Sequence, residues 1–72
     1  MRELQPHHQR VVDEKVELDK KATELSDFIG YSQIFETLDA EEQERLREQN
    51  DVMWKYSEIL GERIAFLHKN IG

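Results

Sequence analysis

Two ladders of leucine-type residues, each returning every seven positions, leave this chain few folds to choose from. The first runs Leu4, Val11, Leu18 and Leu25, and the second Leu46, Met53, Leu60 and Leu67. A seven-residue return keeps one side of an α-helix turned toward a partner helix, so each ladder marks a helix and the pair marks a seam. The companion rows are His8, Lys15, Ala22 and Ile29 in the first stretch, and Gln43, Asn50, Ser57, Ile64 and Ile71 in the second. They mix polar with apolar members, which predicts a seam that is dry near the turn and wetter toward the open end.

Pro6 suits the first turn of a helix, where its missing N–H would be unpaired anyway. From there to Ile29 no glycine or proline interrupts, so the first helix is expected over about 6–29. Gly30 is read as a left-handed cap that closes it. Residues 31–38 hold Ile34, Phe35 and Leu38, read as one helical turn plugging the closed end. Asp39 with Glu42 has capping-box spacing, which starts a second long helix over about 40–69. The reading is an all-α, antiparallel two-helix hairpin, coiled-coil-like, forming a single domain over 1–72. Ladder positions should face one another where residue numbers sum to about 71, as Leu25 with Leu46 and Leu18 with Met53.

A chain of 72 residues sits near the size at which one core supplies only roughly 3 to 5 kcal/mol. A hairpin cannot wrap that core on all sides, so self-association is the expected remedy. The seam leaves over Val12, Val16, Trp54, Ile59 and Phe66, together with Tyr56, and the first five are the expected homo-oligomer interface. Asn50 within the seam is read as a register-setting residue. The net charge of −6 argues against general nucleic-acid binding. With no cysteine, no apolar run near the ~20 residues of a membrane span and no signal-peptide core after Met1, the expected location is the cytoplasm.

Catalytic motifs are absent from the sequence: no phosphate loop, nucleophile elbow or HExxH occurs. Adjacent His7 and His8 point about 100° apart on a helix, so with His68 they make a poor metal site, and no metal or cofactor is expected. The abundant carboxylates read as solvated helix faces, and the chain is not expected to be an enzyme. The register instead brings His7, His8 and Arg10 toward Gly61 and Arg63, with Tyr56 one to two turns away. Arginine forks hold phosphate and an aromatic face stacks a base, which makes Arg10, Arg63, Tyr56 and His8 the candidate ligand-binding residues. The competing reading is that Arg10 and Arg63 pair with Glu14 and Glu62. Gly61 inside a helix costs about 1 kcal/mol against alanine, which a close approach by a helix or a ligand would explain.

The blocks QPHHQRVVDEKVELDKK, LSDFIG, IFETL and EEQERLREQNDVMWKYSEILGERI resemble a group of small proteins of tailed phages and prophages, related to a crAss-like phage protein. The likeness spans about Gln5 to Ile64 and is most specific in the blocks around PHHQRV and YSEILGERI. Relatives commonly carry a proline in the turn where this chain has Asp39, which loosens the alignment there. The resemblance implies a phage accessory protein acting in the host cytoplasm. A more distant similarity, to the helical hairpin of phage anti-CBASS and anti-Thoeris sponge proteins, implies an oligomer that sequesters a cyclic or ADP-ribose-type nucleotide signal. The alternatives are an acidic inhibitor binding a host defence or nucleic-acid-processing protein through Glu41, Glu44, Glu48 and Asp51, and a homotypic scaffold.

Overall fold

The computed structural model describes residues 6–71, with side chains placed over 6–69, and contains three helices in that span. Helix α1 covers Pro6–Tyr31, the single turn α2 covers Gln33–Glu36, and α3 covers Ala40–Ile71. The two long helices pack side by side as an antiparallel hairpin 51 × 16 × 15 Å in extent, with α2 at the closed end. No strand occurs among the described residues. The all-α hairpin expected from the two ladders is the observed fold. Leu4, the first rung, lies outside the described residues.

The rows read from the sequence form the seam. Val11, Ala22 and Leu60 are buried, and Leu18, Leu25, Leu46, Met53 and Leu67 are half-buried. Two polar clusters cross it. Lys15 Nζ donates to Asp19 Oδ2 at 2.7 Å and to Ser57 Oγ at 3.0 Å, and the Ser57 hydroxyl donates to Asp19 Oδ1. Nearer the closed end, Ser26 Oγ donates to Asn50 Oδ1 at 2.9 Å and Asn50 Nδ2 donates to the Ala22 carbonyl at 3.0 Å. Asn50 thus bridges the helices, which is how a polar seam residue sets register. The wet part of the seam reaches its middle and is not confined to the open end.

The axial register differs from the strict expectation. Glu14–Tyr56, Lys15–Ser57 and Ala22–Asn50 lie close to a residue sum of 71. Asp19–Ser57, Ser26–Asn50 and the approach of Lys15 to Gly61 lie about a turn further along. Heptad rows fix which faces meet but not the axial phase, since sliding one helix by half a heptad interlocks the same rows equally well. Ser57 and Asn50 each reach partners in both groups, so the contacts flank a single register a little beyond the expected sum.

Gly30 does not cap α1. The helix runs through it to Tyr31, and no glycine among the described residues has a positive φ. The break falls at Ser32 instead, in extended conformation with φ −84° and ψ 129°, whose Oγ accepts from the Ile34 N–H at 3.1 Å. That hydroxyl starts α2 directly, so no left-handed residue is needed. Phe35 is the plug: it is buried, meets Phe28 edge to face at 5.9 Å between ring centroids, and carries Arg47 5.2 Å above its ring. Ile34, expected beside it, is exposed.

Helix α3 begins at Ala40 as expected, with the Asp39 carbonyl accepting from the Gln43 N–H. Glu42, however, does not close a capping box; it pairs with Arg45 at 2.9 Å. The Gln43 amide does the tying, donating to the carbonyls of Phe35 at 2.9 Å and Leu38 at 3.1 Å. A long amide reaches back across the turn, where the short Asp39–Glu42 pair would join only adjacent backbone.

Candidate functional site

The hairpin has two flanks, and the leftover apolar residues divide between them. On one flank Trp54 Nε1 donates to Ser26 Oγ at 3.0 Å, on the side where α1 carries Val12 seven residues before Asp19. On the other, the Tyr56 hydroxyl donates to the Glu14 carboxylate. Ile59, Arg63 and Phe66 follow Tyr56 at spacings of three and four, so they share its flank. The expected single stripe of Val12, Val16, Trp54, Ile59 and Phe66 is therefore two separate surfaces. Val12 is half-buried, and the other four are exposed.

At the open end of the Tyr56 flank lies a groove of about 410 Å³, lined by His7 and Val11 from α1 and by Ile59, Glu62, Arg63, Phe66 and Leu67 from α3. Its floor is apolar because Val11 and Leu67 are seam residues seen from the side. Its rim carries the Arg63 guanidinium, the His7 imidazole and the Glu62 carboxylate. Of the four candidate ligand residues, only Arg63 lines the groove. Arg10 is exposed and is not part of the lining, and Tyr56 is turned toward Glu14. Among the described residues neither arginine forms an ion pair; the pairs present are Lys15–Asp19, Arg45 with Glu41 and Glu42, and Lys55–Glu58.

His8 faces inward rather than into the groove. Its ring meets that of His7 edge-on at 4.1 Å, and its Nδ1 is shut off from solvent without a hydrogen-bond partner. Desolvation, reinforced by His7 and His68, holds its pKa below the ordinary 6.5. No group of three or more side chains placed to hold a metal ion occurs among the described residues. Apart from Arg63, none of the lining residues was assigned to ligand by the sequence reading; His7 and Phe66 are the two with side chains suited to a ligand's polar group or ring. The spacing of His7 four residues before Val11, on the ladder's edge, was the available signal.

The sequence profile of the Sequestin family matches residues 5–66. The chain belongs to the Sequestin family. The name Sequestin points to capture of a molecule or partner rather than to its conversion. The matched span takes in the groove lining from His7 to Phe66, all but Leu67, and all of the polar seam. Comparison with curated proteins and with solved structures returns no match to the chain. No helix among the described residues is long and apolar enough to cross a membrane.

Proposed function

We propose that this Sequestin is a non-enzymatic, phage-encoded counter-defence protein that works as an oligomer and sequesters a nucleotide second messenger in pockets formed between subunits. The observation that carries the reading is the open-end groove, which sets an arginine without an ion-pair partner among the described residues beside an imidazole over an apolar floor. Its volume of about 410 Å³ falls in the range of small-molecule pockets. Arg63 supplies a bidentate clamp for a phosphate, His7 a second donor, and Phe66 a ring for a base. Arg10 lies outside the groove lining and serves it only through the local positive field, His8 lies outside it and is held toward its neutral form, while Tyr56 reaches a ligand from a neighbouring subunit.

Isothermal titration of the folded protein against cyclic di- and trinucleotides and ADP-ribose derivatives tests the proposal. Saturable heat with one class, lost on Arg63→Glu and retained on Arg10→Gln, is the expected result. Flat traces across the panel from a folded sample overturn it.

A second reading rests on a different surface. Glu41, Glu44, Glu48 and Asp51 are all exposed on α3, and only Glu41 faces a cation, Arg45 at 3.9 Å. Such a face suits competition for a basic, nucleic-acid-binding surface of a host protein. Recovery of one stoichiometric host protein from lysate, abolished by reversing these charges, would favour it.

A further inference from the structure

Along the outer side of α3, Val52, Ile59 and Phe66 repeat at seven-residue intervals and stand 60 %, 42 % and 66 % exposed. They form a third heptad row, on the flank away from Trp54, which the intramolecular seam does not cover. Beside it runs a fourth, Glu48, Lys55, Glu62 and Lys69, whose charges alternate in sign and whose members are all exposed. The only ion pair made by any of these four among the described residues is Lys55–Glu58, between largely exposed groups at 3.5 Å. An apolar row flanked by a row of alternating charge is the pattern of a helix awaiting a second helix.

We infer that the Val52–Ile59–Phe66 row is the seam of a two-fold dimer in which α3 packs antiparallel on α3 of a second copy, with the dyad close to Ile59. The charges choose this occupant and this register. About a dyad near Ile59, Val52 lies opposite Phe66 of the partner subunit, Lys55 meets Glu62 of the partner subunit, and Glu48 meets Lys69 of the partner subunit. All four flanking contacts thus join opposite signs. A slide by one heptad would set Lys55 against Lys55 of the partner subunit and Glu48 against Glu62 of the partner subunit, so the wrong register repels itself. A self-complementary row is what an isologous contact requires, because the same patch serves both chains.

The available area suits a concentration-dependent contact. With the dyad near Ile59 the two α3 helices overlap along roughly 37 Å. Across a single helix about 11 Å wide that is a footprint of roughly 400 Å² per subunit, the size of a weak contact, so the charge pattern rather than the area selects the second copy. The arrangement also deepens the sequestration reading, on which this clause alone rests. Ile59 and Phe66 line the groove, so the second copy walls it, and Tyr56 of the partner subunit arrives beside Arg63.

Light scattering without any nucleotide tests the dimer, so its outcome is independent of ligand binding. The wild type is expected at twice the 8.6 kDa chain mass. Ile59→Asp, on a side chain already exposed in the single hairpin, is expected to give a helical monomer by circular dichroism. Lys55→Glu alone should weaken dimerisation at least about tenfold at low salt, and Lys55→Glu with Glu62→Lys should restore it. A monomeric wild type, a dimer that survives Ile59→Asp, or a charge swap without rescue each overturns the inference, assigning the row to a foreign partner or the contact to another flank.

Discussion

A Cβ added at Gly30 would meet nothing within 4 Å, whereas one at Gly61 would stand 3.4 Å from Lys15 Cε. The two glycines therefore do different work, although both lie inside helices. Gly61 lets the Lys15 stem lie close against α3 while its ammonium reaches Asp19 and Ser57. Gly30 has no such neighbour and no positive φ. Gly30→Ala should stabilise the fold by about 1 kcal/mol through helix propensity and a less flexible unfolded chain, read as a rise in the urea midpoint. A loss of stability would show that the left-handed cap read from the sequence forms in solution. His8 gives the residue scale its pH dependence. Its folded pKa lies below the ordinary 6.5, so between those values the unfolded chain binds more protons and stability falls as pH drops. Asp19, held below its usual 3.8 chiefly by the hydrogen bond from Lys15, adds a second loss of the same sign at more acid pH. Melting midpoints should fall in two stages on acidification. His8→Leu should remove the upper stage and leave the lower; an unchanged profile would refute the burial of His8.

At the scale of elements, the seam faces were legible because heptad spacing encodes them: Val11, Ala22 and Leu60 are buried where the rows put them. Phe35 as plug was legible too, an aromatic side chain stranded between two helical patterns. The axial phase was legible only to within about a turn, because heptad rows fix faces more tightly than they fix the slide along the axis. The role of Gln43 was equally hidden, since capping the Phe35 and Leu38 carbonyls depends on the path of a turn that no periodicity records. At the groove, Arg63 lines the wall and Arg10 does not, because Arg10 sits about 60° further round α1 than His7, and a register along the axis does not record that rotation. Asn50 carries the element-scale prediction. Asn50→Leu removes the bridge from Ala22 and Ser26 but adds apolar area to a half-buried position. It should raise the melting temperature by a few degrees while doubling amide resonances, as the seam loses its single register. One set of resonances would show that Lys15, Asp19 and Ser57 hold the register alone.

On the whole molecule, the balance between core and length decides what state is stable. Spread over 51 Å, the hairpin buries few side chains: among the described residues Val11, Ala22, Phe35, Leu60 and the polar Ser57. A core of that size leaves roughly 3 to 5 kcal/mol at most. The surface ion pairs Arg45–Glu41, Arg45–Glu42 and Lys55–Glu58 add little, each lying between largely exposed groups. The exposed Val52, Ile59 and Phe66 row is then apolar area left to cover, and a second copy covers it at an entropic cost that depends on concentration. Unfolding should therefore be linked to dissociation: each tenfold dilution removes about 1.4 kcal/mol per dimer, lowering the melting midpoint by about 3 to 6 °C for two chains of this size. Circular dichroism melts from about 1 to 100 μM measure this. Ile59→Asp should melt at one temperature throughout, below the wild type at every concentration. A wild-type midpoint that ignores dilution would mean that the small seam suffices alone, and that the third row is kept for some other contact.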